Sequence, residues 1–521
     1  MQETNNILVL GPIFIMLAGA VLALLLSGRN RLQRYIGLVT GLLAWGSSVA
    51  ILSQNWDEGV QVYRLGGWPT PYGIVLVADM LSALFTVMAM SVFVAGFIYV
   101  LGSRDKSTNN PVFMPLYLTM GAGLSGTFLT GDIFTLFVFL ELMVMSSVIL
   151  VAISDYELGL EAALKYIFIS AMGTLFLLLG IAAVYITFGT LNIADVAYQL
   201  QGGERPLLAQ PAAVLLMSAF LLKGGVFPFH FWQPDFHTAA PTSISAMLSS
   251  VVVKFGVYGV LRLTTLLFIE EAEVIQNVLI ALGLIGIVFG SLAALRTHNA
   301  KRILAFSTLG QVGFILVAIG WGNPLALVAA IIYSVNHAFI KSAMLLLTGF
   351  ISSNLKSKSA SLADLGGAGK GMAFSSVLYL LGGLALAGVP PLNGFVSKVV
   401  LVRGGIESDQ WVTLGLVVGA GIITMMYMVR TWQLIFQQPP TGKLERKRGD
   451  SPLAPALLIG MCIVLGVYAV PLVDLAEETV EQIGRPEIYI EAVLPPDYIE
   501  HLNGEELAPT SQEDTPSFLG G

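Results

Sequence analysis

Glu141, Lys223, Lys254, His337, Lys341 and Lys398 lie inside apolar runs that are long enough to span a bilayer or that break within it. A lysine at mid-bilayer costs about 3 kcal/mol or more on insertion scales, so such a residue is functional by default and faces protein or water. Glu141 is central in GDIFTLFVFLELMVMSSVIL, and Lys223 and Lys254 are its expected counter-ions in the same half of the chain. Burial disfavours the charged form of carboxylate and amine alike, and an opposite charge nearby restores it. A buried Glu–Lys pair is therefore an adjustable switch. Moving the carboxylate away favours release of the amine's proton, and returning it favours recapture. The competing reading is a static ion pair that fixes helix packing. His337 and Lys341 stand one helical turn apart in IIYSVNHAFIKSAMLLL and share a helix face. An imidazole titrates near neutral pH and passes protons between neighbours. Alone, His337 reads as a core histidine bonded to a carbonyl; Lys341 beside it favours a relay. The row Lys223, Lys254, His337, Lys341, Lys398 would connect the two halves along the membrane plane.

Other polar residues mark candidate mouths. Asp79 and Asp132 fall at the expected outer ends of two spans, either in headgroups or in an access path. His230 and His237 flank a helix break near the expected inner face. Apart from Asp235 they have no companion ligand set, so they are read as lining proton access or capping the interface, and no metal site is expected. Arg262 and Arg430 are read as structural, bonding freed carbonyls or snorkelling.

The elements that must position these groups are membrane helices. The 521 residues are 55% hydrophobic and 11% charged, with mean hydropathy +0.80, against about 25% charged in soluble domains. The one cysteine, Cys462, is in an apolar run. That excludes a disulfide framework, Cys-ligated zinc and iron–sulfur clusters, and no cofactor is expected. The net charge of −7 comes from the acidic stretch 473–521, whose single base is Arg485, and no basic field suggests nucleic acid. MQETNN lacks the basic start of a signal peptide, and Arg29, Arg31 and Arg34 follow the first apolar run, which reads as a retained span. GAGLSG (121–126) lies in an apolar span without a preceding strand, and GGAGKG (366–371) lacks the Ser or Thr of a P-loop, so neither is a nucleotide site.

A span needs about 20 apolar residues, and on that measure the chain has about fourteen. They run over 7–26, 35–53, 74–101, 112–129, 132–153, 162–188, 211–233, 242–268, 274–295, 302–320, 324–351, 372–404, 411–437 and 452–472. The seventh and twelfth are broken by glycine and proline. With the N-terminus outside, most loop lysines and arginines fall inside, Lys443 among them, while Arg64, Arg205, Arg403 and Arg485 fall outside. Both termini then face outward across a cell membrane. KGGVFPFHFWQP (223–234) echoes LAGVPPLNGFVSK (386–398) an odd number of spans away, the pattern of inverted repeats whose broken helices bracket a midplane site. The expected fold is all-α and polytopic: N-terminal helices 1–110, a five-helix repeat 111–268, its inverted counterpart 269–440, a last span 441–472 and the acidic tail 473–521.

These motifs resemble the antiporter-like subunits shared by respiratory complex I and Mrp-type multisubunit cation/proton antiporters. The resemblance rests on GDIFTLFVFLEL around Glu141, on LLKGGVFPFHFWQPDFHTAAPTSISAMLSSVVVKFGVYGVLR, on KRILAFSTLGQVGF and on GVPPLNGFVSK, and it extends over essentially all the spans. FGTLNIADVA (188–197) and RPEIYIEAVL (485–494) are similar to the D-type branch of the Mrp antiporters. The sequence departs from the family at Asn299, where an aspartate is common, which puts in doubt an acid at the inner mouth there. Lys398 departs from the nearest complex I homologue, which usually carries glutamate. The resemblance implies Glu141 and Lys223 as a coupled pair, Lys254 and His337 as connecting residues, and Lys398 as the terminal proton site. It also implies membrane-subunit partners and sodium efflux coupled to proton uptake. The alternative is a proton-pumping subunit of a complex I-type oxidoreductase or membrane-bound hydrogenase.

Overall fold

The computed structural model describes residues 5–154, 156–202, 206–440 and 445–502. Arg205, Lys443 and the last part of the acidic tail, 503–521, which entered the expected topology, lie outside the described residues. The chain opens with α1 (Gly11–Leu25) and α2 (Asn30–Glu58), then a short antiparallel hairpin of β1 (Gln61–Arg64) and β2 (Val75–Ala78). In it Gln61 faces Ala78 and Arg64 faces Val75. The helices that follow are α3 (Met80–Leu101), α4 (Phe113–Leu129), α5 (Ile133–Ala152), α6 (Glu157–Phe188), the short α7 (Ile193–Gln201), α8 (Ala209–Lys223) and α9 (Trp232–Ala239). Next, α10 (Thr242–Met247) and α11 (Lys254–Arg262) join through π-turns into one helix, Thr242–Leu267. Then come α12 (Ala272–Arg296), α13 (Ala300–Trp321), α14 (Pro324–Ser353), the single turn α15 (Leu362–Leu365), α16 (Ala373–Ala387), α17 (Asn393–Glu407) and α18 (Trp411–Trp432). The chain closes with α19 (Leu453–Val467), α20 (Val470–Ile483), α21 (Pro486–Val493) and α22 (Pro496–Leu502).

Among the described residues, ten helices are long and apolar enough to cross a membrane, or eleven if the bent pair α19–α20 is one span. Below that length fall α4 and the pieces of the two broken spans. The protein is a multi-pass membrane protein. Its centre is the helix Thr242–Leu267, whose spanning window is wholly buried, with α13 and α14 packed against it, while α2, α6 and α18 bury only a third of theirs. The outer helices thus present apolar faces to lipid or partners. The inner ones, covered on all sides, carry Lys254, Arg262, Lys301, His337 and Lys341 among their buried polar groups.

Both breaks occur where the sequence places glycine. α8 stops at Lys223, and Gly225 turns the chain in the left-handed region (φ 63°) with its α-carbon against the Gln233 side chain, where a Cβ would collide. α16 stops at Ala387, and Gly388 does the same at φ 86°. Any other residue would resist that backbone.

Two expectations need correction. The third span, expected over 74–101, is a strand followed by a helix. Asp79 accepts from the Ser82 N–H and Ser82 Oγ accepts from the Asp79 N–H, each at 2.9 Å, a capping box that delays the helix until Met80. The β-branched Val75 and Val77 before it pair with β1, so one short hairpin precedes α3 in an otherwise helical fold. The last span, expected over 452–472, ends at Val467, where α19 bends by 77° into α20. The beginning of the acidic stretch then packs on the end of the bundle that carries the hairpin. The Met80 N–H donates to Gln482 Oε1 at 2.7 Å, Thr70 Oγ1 donates to the Val493 carbonyl at 2.7 Å, and the Tyr498 hydroxyl donates to Asp195 at 3.1 Å.

Candidate functional site

The first buried cluster joins α5, α6 and α8. Lys223 Nζ lies 2.7 Å from Glu141 Oε1 and also donates to Thr174 Oγ1 at 2.9 Å and Ser170 Oγ at 3.2 Å. Thr174 donates in turn to Glu141 at 2.6 Å. The lysine side chain is 4% exposed and the glutamate 22%, so the carboxylate sits at the rim of its own pair. A cavity of about 10 Å3 lies beside Lys223, lined by Tyr166, Ser170 and Trp232, roughly the space of one water. Trp232 Nε1 is a buried donor with no partner among the described residues.

The second cluster contains no carboxylate. Lys254 Nζ lies 2.7 Å from His337 Nδ1, both fully buried. The expected Lys254–Glu141 pairing is not seen, since π-turn Leu248–Val252 and α11 direct Lys254 onto α14 instead. His337 Nε2 has no partner among the described residues, and His337 lines a second cavity of about 10 Å3 with Gln311, Tyr333, Asn336 and Ser397. Tyr333 donates to Gln311 at 2.5 Å. Asn336 Nδ2 donates to Ser397 Oγ at 2.9 Å, and Asn393 Nδ2 donates back to Asn336 Oδ1 at 3.0 Å. These amides lead from α14 to α17, which carries Lys398. Lys398 Nζ donates at 2.6 Å to the Ala387 carbonyl, freed where α16 ends, and stands 5.5 Å from the Phe314 ring centroid. It also borders a largely apolar cleft of about 410 Å3 between α17 and α18. Lys341 shares the His337 face but turns to α13, donating to the Leu304 carbonyl at 3.0 Å.

The candidate mouths divide. Asp79 forms a two-point ion pair with Arg262 at 2.5 and 2.6 Å while capping α3, so both its oxygens are engaged. Burial pushes the Asp79 carboxyl up, but the Arg262 guanidinium and the Ser82 bonds outweigh it and hold the group below the usual range. Arg262 therefore pairs with an acid rather than with freed carbonyls, and it also stacks on Tyr258 and Tyr489. Asp132 caps α5 by accepting from the Thr135 N–H at 2.6 Å, and burial pushes its carboxyl up. It lines a cavity of about 440 Å3 with Asp195, Gln199 and Tyr498. His230 stacks on Phe227 with ring centroids 5.4 Å apart, and its Nδ1 has no partner among the described residues. His237 is fully buried, with Nδ1 3.3 Å from Ser245 Oγ and Nε2 unpartnered among the described residues. Asp235 points elsewhere, to Lys165 and Arg302 at 2.8 Å each. Among the described residues no group of three or more His, Cys, Asp or Glu could hold a metal. Arg430 donates to the Leu295 carbonyl.

Sequence reasoning missed Ser170, Thr174, Gln311, Asn336, Asn393 and Ser397. A signal existed for the first two: Ser170 and Thr174 sit one turn apart in an apolar stretch of α6, so they share a face. The amides on α13, α14 and α17 gave none, because their partners come from distant segments.

Residues 130–424 match the family described as NADH:quinone oxidoreductase/Mrp antiporter, TM. The D-type member of the Na(+)/H(+) antiporter of Alkalihalophilus pseudofirmus is 30% identical over 495 residues, covering 94% of this chain and 99% of that protein. Among solved structures, a chain of the Mrp complex from Dietzia sp. superposes with a TM-score of 0.87 at 24% identity over 94% of this chain and 99% of its own length. A chain of an archaeal membrane-bound sulfane sulfur reductase superposes with 0.84 at 28% identity, over 92% and 99%. The chain belongs to the NADH:quinone oxidoreductase/Mrp antiporter membrane-subunit family.

Proposed function

We propose that this chain is the proton-translocating subunit of a multisubunit Na+/H+ antiporter in a cell membrane, a transporter subunit rather than an enzyme, working with other membrane subunits. The observation that carries the reading is the division of buried bases into a carboxylate-held lysine, Lys223 on Glu141, and a carboxylate-free row through Lys254, His337 and Lys341 to Lys398. When Glu141 withdraws towards the rim, Lys223 loses its counter-charge and favours giving up its proton. The cavity beside it has room for one water to receive it. Lys254 and His337 share one hydrogen-bonded proton, and the cavity at His337 faces the amides that lead to α17. Lys398 ends the row at a carbonyl that only a broken helix exposes. Asp132 and the two histidines His230 and His237 serve as access groups at opposite ends.

The two breaks, each with a left-handed glycine after an apolar half-helix, support two inverted five-helix repeats, 111–268 and 269–440. The basic loops support outward-facing termini. A redox-driven proton pump is the second reading, favoured by the likeness to the sulfane sulfur reductase chain. Co-purification separates them: flavin and iron–sulfur subunits mean the pump, small membrane subunits alone mean the antiporter. In the antiporter, Lys223→Ala should abolish cation-driven proton movement in reconstituted vesicles while the complex still assembles. Wild-type rates in that variant would overturn the relay.

A further inference from the structure

One end of the bundle holds a polar crevice of about 500 Å3. It lies where α3, α14 and α19 meet the loops and where α10 and α13 begin. Arg104, Lys106, Lys301, Lys358, Lys447 and Arg448 contribute to its wall. The carboxylates in the wall, among the described residues, are Asp105 and Asp450, and both are engaged. Asp450 accepts from the Tyr99 hydroxyl and the Arg104 N–H at 2.7 Å each, and Asp105 faces Lys358 at 3.7 Å. Arg104, Lys106, Lys447 and Arg448 make no ion pair among the described residues.

Lys301 is the deepest of these bases. It is buried, and the one hydrogen bond of its ammonium among the described residues is a long one, 3.4 Å to the Ala240 carbonyl. The acids that act on this ammonium, Asp105 and Asp450, do so from beyond ion-pair distance, so it lacks the close counter-charge that a buried ammonium needs. Burial, and then the Lys358 charge, push the Lys447 ammonium below its ordinary range, with Asp450 and Asp105 opposing them only in part. Ser107 and Thr242 add hydroxyls to the same wall. Bases surrounding a concave space, with hydroxyl donors between them, are the chemistry that recognises a phosphate oxyanion. A positive-inside bias alone would spread these bases over a convex surface and would leave none of them buried.

We propose that this crevice binds a phosphate-class anion, supplied either as a free phosphate compound or as a phospholipid headgroup. Binding stands apart from the transport reading. Its consequence rests on that reading: an anion on Lys301 would occupy the first turn of α13, the next turn of which supplies the Leu304 carbonyl that holds Lys341. Anion occupancy would then tune proton access to the second cluster.

The test uses the whole complex purified in a neutral detergent. Pyrophosphate binding is followed by calorimetry at fixed ionic strength, and retained phospholipid by native mass spectrometry. Wild type is compared with Lys447→Gln/Arg448→Gln and, in case that pair assembles poorly, with Lys106→Gln. Saturable pyrophosphate binding that weakens about tenfold or more in the double variant, the loss of one charge-assisted bond or more, supports a free-phosphate site. No pyrophosphate binding, with a phospholipid retained by wild type and lost from the variant, supports a headgroup site. Neither saturable binding nor a variant-sensitive lipid overturns the proposal. Binding without any change in vesicle transport would leave the site standing and remove only its regulatory consequence.

Discussion

Lys223 and Lys254 are both lysines buried in the middle of a membrane protein, yet their surroundings differ in kind. Lys223 has an acid 2.7 Å away and two hydroxyls around it, and that acid lies partly open at the rim of the pair. Lys254 has an imidazole and no acid; Lys341 and Lys398 have backbone carbonyls. A charge pair with one movable partner can be switched. Bases without an acid nearby cannot all hold charge in a low dielectric, so their protonation must answer to what happens beside them. The first half is thus the controlling element and the second the conducting one.

The sharpest way to break this contrast is in the conducting half. Lys254→Met leaves His337 without its proton partner, and transport in reconstituted vesicles is expected to fall to background with assembly preserved. The same loss is expected for Lys398→Met; a normal rate in either would remove that residue from the path. Asn336→Leu takes away the amide that ties His337's surroundings to Ser397 and leaves buried partners unsatisfied. A loss of about 1–3 kcal/mol in stability is expected, with a several-fold drop in rate, read by thermal melts and transport side by side. Thr174→Val removes one hydroxyl from the Lys223 shell but keeps the ion pair. A rate change of a few-fold at most is expected, and abolition would mean that the hydroxyl, not the carboxylate, is the switch.

Asp79→Asn sharpens the comparison from outside it. The Asp79–Arg262 pair is also buried, but it is two-pointed, capped and closed by stacked tyrosines, so it is expected to hold the fold and not to carry protons. Breaking a buried pair destabilises by about 3–5 kcal/mol. The Asp79 carboxyl is held below its unfolded value, so its stabilisation is present above the usual carboxylate range and lost as pH falls through the lowered native value. The variant should therefore melt earlier at neutral pH, lose that part of its acid dependence, and transport normally per assembled complex.

Much of this was legible in the sequence, for a physical reason. Intramembrane charges are so unfavourable that Glu141, Lys223, Lys254, His337 and Lys341 announce themselves in apolar runs, and glycine followed by proline marks each break. What remained hidden depended on pairing across distance. Nothing in VLVADMLSAL says that Val75 and Val77 will find β1 before Asp79 starts α3. Arg262 could not be assigned to Asp79 rather than to carbonyls, because 183 residues separate them. Nor could Lys254 be given to His337 rather than Glu141, since both choices lie within reach until the helices are packed. The folding back of α20 and α21 onto the bundle was masked by their acidity, because their apolar positions alternate with glutamates that face outward.

The measurement that bears most directly on the division between a switching pair and a conducting row is proton movement driven by an imposed sodium gradient in vesicles carrying the complex with Glu141→Gln. That change keeps the size of the side chain and deletes only its charge. Proton flux no higher than in empty vesicles, from a complex with its full set of subunits, is the expected result. Flux equal to wild type would show that the Lys223 pair is mere packing, and the account would fail.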